Sequence, residues 1–478
     1  FLGFVITHAF LIVYGLGSRA DQLPRLIPAA IEETSSLAGQ LGWAHVAALM
    51  LLAYSQGGGT YTGLEAVSNN VNVLAEPRVK TGKITMLYMA LSLAFTAGGI
   101  ILLYLLWDAK PVEGQTLNAV AFGAIIRSLE WEPWVSSAAL WTVLALEGGL
   151  LFVAANTGFL GGPAVLSNMA ADSWVPHKFR YLSTRLVTEN GILVMGLAAL
   201  GILLWTRGSV SLLIVLYSVS VFLTFAISLF GLCVYWWRKR AEEGKWIVRL
   251  ALSATGLTVC SVILAMLLVE KFTEGGWLTV LIIAAIIGIC VTIRSHYSWT
   301  KDQIRKVDEI FANQPFGSIV SPARPDPSQP TAVFLVGSSR GGGLHALLWV
   351  QRMFPDHFRN FIFLNARTVD SHSYGGSEDM KLTKMEASVA LTYFVNFCNS
   401  KGWAAKSYLA FGTDPIDEIT RLAEQVQEEF PNSIFFASKL VFEQENWLIR
   451  LLHNEAALAI QRRLHLLGLQ MVILPMKI

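Results

Sequence analysis

Eight apolar segments dominate this sequence, and most of them are close to the length that a bilayer requires. A membrane-spanning helix needs about 20 predominantly apolar residues. Only 15% of the residues are charged, against about 25% in a typical soluble domain. We therefore predict an all-α polytopic membrane domain over residues 1–298. The segments lie at residues 1–17, 43–70, 84–107, 135–167, 191–205, 210–237, 250–269 and 277–293.

The second segment is interrupted at the point where a membrane helix should be continuous. It contains Gly57, Gly58, Gly59 and Gly63, and each glycine costs about 1 kcal/mol relative to alanine in a helix. Irregular backbone at membrane depth is tolerated where it is buried in protein or lines a cavity, and transporters use such breaks to bind ions or substrates. The alternative is a glycine-rich face for close helix packing.

Polar residues at this break make it a candidate binding site. We place the Gly59 carbonyl and the hydroxyls of Thr60 and Thr62 at the break, with the Glu65 carboxylate one turn beyond it. Glu147 is a second carboxylate inside an apolar segment, and Tyr217 brings a hydroxyl into another. Ionisable groups within a membrane are costly and commonly functional. Glu65 and Glu147 are therefore candidates for proton coupling, although Glu147 could equally be a hydrogen-bonding group between helices.

The distribution of basic residues predicts the orientation in the membrane. Cytoplasmic loops carry an excess of lysine and arginine. One set of alternate loops is the more basic, with Lys80, Lys83, Lys178, Arg180, Arg238, Lys239, Arg240 and Arg249 among its members. We expect this set, and the C-terminal region with it, to be cytoplasmic in a multi-pass protein of the cell membrane.

A soluble domain follows a proline- and serine-rich linker. We assign the linker to residues 299–330 and the domain to residues 331–478, where five apolar strands alternate with helices. This alternation is typical of an α/β domain with a parallel sheet. The net charge of +2 does not indicate nucleic-acid binding, and the four cysteines have no metal-binding spacing.

The glycine-rich turn after the first strand of this domain permits two interpretations. Residues Gly337, Gly341 and Gly343 lie where backbone amides at a helix start can hold phosphate, so they are possible nucleotide contacts. A tight turn is an equally good explanation. The same turn contains a G-x-S-x-G sequence around Ser339, with Asp414 and His453 in hydrolase order. Because the turn follows the first strand and His453 falls in a predicted helix, we do not predict an enzyme.

Several motifs together resemble the amino acid–polyamine–organocation superfamily of permeases. Residues 57–69 (GGGTYTGLEAVSN), followed by EPR at 76–78, resemble its sixth core helix, and residues 216–225 (LYSVSVFLTF) resemble its tenth. Segments 114–120 and 168–176 fit the same permeases. Within the superfamily, the T-Y-T-G-x-E break joined to a C-terminal universal-stress-protein-like domain most resembles the KimA-type proton-coupled potassium importers.

This resemblance implies a LeuT-like fold of two inverted five-helix repeats and two accessory helices. Residue 1 then corresponds to the fifth helix, so we expect about four N-terminal helices to be missing from this sequence. The resemblance also implies Thr62 as a potassium ligand, Glu65 as a coupling carboxylate and Tyr217 near the ion. It further implies a homodimer formed through the cytosolic domains and regulation by cyclic di-AMP.

The sequence therefore predicts a secondary active transporter, with proton-coupled potassium uptake as the first hypothesis. An amino acid permease of the same superfamily would use the same break for a zwitterionic small molecule. A membrane-anchored nucleotide sensor is the alternative of another class, and it would need no site within the membrane.

Overall fold

A computed structural model of the chain describes residues 1–57, 67, 71, 74–312, 323–337, 339–368, 377–442, 452 and 456–477. The first part of the described chain is helical, and the C-terminal part combines helices with one sheet. The N-terminal helices are α1 (Leu2–Gly17), α2 (Leu23–Leu41), α3 (Trp43–Gln56), α4 (Arg78–Leu106), α5 (Leu117–Arg127), α6 (Pro133–Ala171), α7 (Glu189–Thr206), α8 (Val210–Arg238), α9 (Trp246–Glu270) and α10 (Trp277–Ala312).

Helices long and apolar enough to cross a membrane form most of this region. Within the described residues there are six of them, namely α4, α6, α7, α8, α9 and most of α10. Helices α1 and α3 are apolar but shorter. The chain is therefore a membrane protein. The inverted-repeat arrangement implied by the resemblance stays a prediction.

The described chain divides into two compact units. The first consists of residues 1–161 and 195–286, and the second of residues 162–194 and 287–478. Residues 162–194 and 287–298, which lie within the predicted membrane domain, thus group with the C-terminal α/β region.

In the first unit, helices pack through small clusters of apolar side chains. One cluster joins α1, α4, α5 and α6 through Leu11, Leu103, Phe122 and Val143. Gly99 of α4 permits close approach there, because an added Cβ atom would lie 2.6 Å from Ile12 Cγ2. A second cluster joins α8 and α9, with Leu51 of α3 against it; its buried members are Val219, Phe222, Ile263 and Leu267.

The second unit contains a five-stranded parallel sheet, as predicted. Its elements are β1 (Thr331–Leu335), α11 (Arg340–Met353), β2 (Asn360–Thr368), α12 (Ser377–Ser400), β3 (Ala404–Gly412), α13 (Pro415–Glu429), β4 (Ser433–Val441), α14 (Ala456–Leu466) and β5 (Met471–Lys477). The strand order is β3-β2-β1-β4-β5, and all neighbours are parallel.

Both faces of the sheet are covered, which explains the nearly continuous apolar strands. Phe334 and Phe363 point to the face covered by α11 and α12. Val333 and Ile362, their neighbours in the strands, point to the face covered by α13 and α14.

Helix α10 continues beyond its apolar segment through residues 299–312, the first part of the predicted linker. Charged residues one turn apart support this extension, because Arg305 lies 3.6 Å from both Asp302 and Glu309. Nearer the apolar segment, the Tyr297 ring stacks on His177 with centroids 4.2 Å apart, and its hydroxyl donates to the Leu452 carbonyl at 2.9 Å. Burial, and then the nearby Arg180, lowers the pKa of His177.

Candidate functional site

The predicted break falls largely outside the described residues. Helix α3 ends at Gln56, immediately before the glycine run. Gly59, Thr60, Thr62 and Glu65 lie outside the described residues. Their roles in ion binding and coupling stay predictions.

Tyr217 lies on α8 and is 41% exposed. The buried residues Val219 and Phe222 follow it on the same helix and pack with Leu51 of α3, the helix that leads to the predicted break. The nearby hydroxyls of Ser220 and Thr224 donate to carbonyls one turn earlier, each at 2.8 Å. These two hydroxyls are thus engaged within the helix.

Glu147 is the predicted site residue around which the structure assembles a polar network. Its Oε1 atom lies 3.1 Å from His8 Nε2 and accepts a hydrogen bond from Asn118 Nδ2 at 2.7 Å. The Asn118 carbonyl oxygen in turn accepts from the Tyr104 hydroxyl. Four helices, α1, α4, α5 and α6, therefore each contribute one polar side chain to this cluster.

The network is enclosed by apolar and aromatic groups. The side chains of His8 and Glu147 are 3% and 18% exposed. Phe4 stacks on the His8 ring at a centroid distance of 3.8 Å, and Phe122 meets that ring edge-on at 5.3 Å. Unpaired charge in such surroundings is costly, so the hydrogen-bond partners are needed to hold polar groups here.

Sequence pattern alone did not identify His8, Asn118 and Tyr104 as partners of Glu147. His8 could have been noticed, because it is the ionisable residue in the middle of the first apolar segment. The pairing of His8 with Glu147 could not have been recognised, because 139 positions in the chain separate the two residues.

A cavity of about 220 Å³ lies beside the network but has a different chemical character. The hydroxyls of Thr7 and Thr142, both on its wall, donate to the Gly3 and Ala138 carbonyls of their own helices at 2.8 Å. The other side chains of the lining are apolar, whereas a dehydrated cation needs several oxygen ligands, so this cavity offers few ligands for an ion. It is lined by Thr7, Phe10, Leu11, Ile126, Leu129, Trp131, Ala139, Thr142 and Val143.

At the start of α11, a carboxylate of the same chain binds a backbone amide that the sequence suggested as a phosphate contact. Asp308 Oδ1, near the end of α10, accepts from the Gly341 amide at 2.6 Å and from Ser339 Oγ at 2.8 Å. Gly343 is buried, and Gly337 is exposed. Nucleotide contact by these glycines stays a prediction, and a phosphate group at this position would have to displace Asp308.

Two residues of the G-x-S-x-G hypothesis serve as helix caps. Ser339 Oγ accepts from the Gly342 amide at 3.0 Å at the start of α11. Asp414 Oδ1 accepts from the Ile416 amide at 2.7 Å at the start of α13. His453 lies outside the described residues. Capping is a sufficient reason for a serine and an aspartate at these positions.

Comparison with known proteins supplies one informative similarity. No family model matches the chain. The chain is 27% identical over 261 residues to the potassium transporter KimA of Bacillus subtilis (strain 168). The similarity covers 55% of this chain and 41% of that protein, so the chain spans less than half the length of the curated relative that it matches.

Proposed function

We propose that this chain functions as a secondary active transporter that takes up potassium and couples it to protons. The observation that carries the proposal is the similarity over 261 residues to a potassium transporter. The apolar helices and the polar network around Glu147 within the first unit support a transport role. The proposed protein is a multi-pass protein of the cell membrane with a LeuT-like fold and a cytoplasmic α/β domain.

Potassium fits the residue types at the predicted break. A dehydrated monovalent cation requires several neutral oxygens. We assign this role to the Gly59 carbonyl, the Thr60 and Thr62 hydroxyls and Tyr217. Glu65 and Glu147 then carry the coupled proton, because a carboxyl group can be neutral or charged near working pH.

Regulation and assembly extend the proposal. We propose that two copies associate through their α/β domains, which resemble universal stress proteins, and that cyclic di-AMP regulates the transporter. Gly337, Gly341 and Gly343 are the candidate nucleotide contacts. The Asp308 carboxylate at the same amides gives a specific reason to test nucleotide binding in competition with that contact.

Growth of a potassium-uptake-deficient bacterial host on limiting potassium tests the proposal. The full-length protein should restore growth, whereas Thr62→Ala and Glu65→Gln should abolish it. Thr224→Ala is the matched control and should preserve growth, because the Thr224 hydroxyl bonds within its own helix. Failure of the unmodified protein to restore growth would contradict potassium uptake, and growth unaffected by Thr62→Ala would contradict the site.

The amino acid permease remains the alternative among transporters. It predicts uptake of a labelled amino acid into the same cells without rescue on limiting potassium. A nucleotide sensor predicts neither uptake nor rescue, together with nucleotide binding by the full-length protein.

A further inference from the structure

The His8–Glu147 contact requires a single shared proton, as the hydrogen-bond partners of the His8 ring indicate. His8 Nδ1 lies 2.9 Å from the Phe4 carbonyl oxygen, which can only accept a hydrogen bond. Nδ1 therefore carries a hydrogen. The other ring nitrogen, Nε2, faces Glu147 Oε1 at 3.1 Å, and an attractive contact there requires one proton between the two atoms.

Either position of that proton leaves the pair without net charge. On Nε2 it gives an imidazolium paired with a carboxylate, and on Oε1 it gives a neutral imidazole and a carboxylic acid. The Asn118 amide donates to the same oxygen at 2.7 Å, which favours the carboxylate form. A pair with zero net charge costs less free energy in apolar surroundings than either charged group would alone.

The second carboxylate oxygen of Glu147 is available for another proton. Within the residues that the structure describes, both hydrogen bonds to this side chain go to Oε1. Glu147 Oε2 has no hydrogen-bond partner among these residues and is not fully buried, and the side chain as a whole is 18% exposed. This oxygen thus keeps some exposed surface while the other oxygen remains bound.

We propose that His8 and Glu147 form one proton-binding unit, in which a proton from water is taken up on Glu147 Oε2 and His8 is the positioning residue. This inference rests on the proposed proton-coupled transport. Loading changes the net charge of the pair from zero to plus one, and release returns the proton to water. The loaded pair loses its charge attraction, which weakens the contact between α1 and α6.

Among the residues that the structure describes, the groups named as neighbours of the pair carry no further charge. Tyr104 of α4 is titratable and reaches the pair through Asn118. Helix α5 contributes Asn118 and Phe122, and α1 contributes Phe4 and Thr7, whose hydroxyl lies 3.3 Å from His8 Nδ1. Among these groups, the His8–Glu147 pair is therefore the one whose net charge changes when a proton binds to Glu147 Oε2.

The test measures potassium uptake and proton uptake by the full-length protein in lipid vesicles across a range of external pH. Glu147→Gln should abolish the proton movement that this pair contributes, so that the pH dependence of uptake weakens to the part that Glu65 supplies. His8→Gln should move the midpoint of the pH dependence upward by about one pH unit, a tenfold change in proton affinity, because the carboxylate loses its positive partner. Glu33→Gln and His45→Gln are matched controls at exposed positions and should leave the profile unchanged.

A purely structural role gives a different result. In that case His8→Gln and Glu147→Gln would lower the thermal stability, the double variant would recover it, and the pH profile would match that of the unmodified protein. This outcome overturns the inference. If the Glu147→Gln protein does not accumulate, the midpoint of the pH dependence measured for His8→Gln tests the inference by itself. Absence of potassium uptake by the unmodified protein would instead overturn the proposed function.

Discussion

Among single residues, the glycines at the start of α11 show how a missing side chain determines packing. A Cβ atom on Gly343 would lie 2.4 Å from Phe394 Cζ and 3.2 Å from Val336 Cγ1, both in the buried core. A Cβ atom on Gly341 would lie 2.7 Å from Asp308 Oδ1. Close packing thus accounts for two of the three glycines that the sequence suggested for nucleotide contact, independently of any ligand.

We expect Gly343→Ala to destabilise the protein by about 1–3 kcal/mol, because the added methyl group overpacks a closed core. Gly337→Ala is the matched control, since, apart from its neighbours in the chain, no described residue has an atom within 4 Å of the position that its Cβ would occupy. Thermal unfolding of both variants in detergent measures the difference. Equal stability of the two variants would contradict the packing argument.

At the scale of elements, one carboxylate, that of Asp308, connects α10 to the start of α11. Asp308 binds both the Gly341 amide and the Ser339 hydroxyl, at the positively polarised end of α11. The extension of α10 past its apolar segment is what brings Asp308 to this point.

Asp308→Ala should expose the start of α11 to solvent. A hydrogen bond to a charged group contributes about 1.5–3 kcal/mol, so amide exchange at residues 339–342 should become roughly 10- to 100-fold faster. Hydrogen-exchange mass spectrometry of the purified protein measures this rate. Asp302→Ala, on the exposed side of the same helix, is the control and should not change exchange at these residues. Unchanged exchange in Asp308→Ala would contradict the proposed importance of the contact.

Local pattern predicted the elements better than their contacts. Buried parallel strands are short continuous apolar runs, so the five strands could be recognised from residues such as 361–364 and 433–437. The order of the strands depends on contacts between distant segments. The same limitation applies to the polar network, since sequence pattern identified Glu147 but carried no information on its distant partner His8.

For the whole molecule, the basic loops predict which regions face the cytoplasm. We expect Glu242→Cys, between α8 and α9, to be protected from a membrane-impermeant maleimide in intact cells. Glu113→Cys, between α4 and α5, should be labelled. Both positions are exposed, so protection would reflect the membrane and not burial.

The topology experiment requires a background in which Cys233, Cys260, Cys290 and Cys398 are replaced. Lysed cells provide the control, because both introduced cysteines should then react. Labelling of the α8–α9 loop in intact cells would contradict the predicted orientation and indicate the opposite one.

The order of the strands has a consequence for how two copies of this chain could associate. Strands β3 and β5 form the two borders of the sheet. Proline cannot donate to a ladder, and Pro475 lies within β5 opposite Lys439 of β4. Lys406 lies on β3, and lysine at such a border disfavours the addition of a further strand. Within the described sheet, extension from one subunit into another is therefore disfavoured, and we expect any dimer to form through helical or loop surfaces.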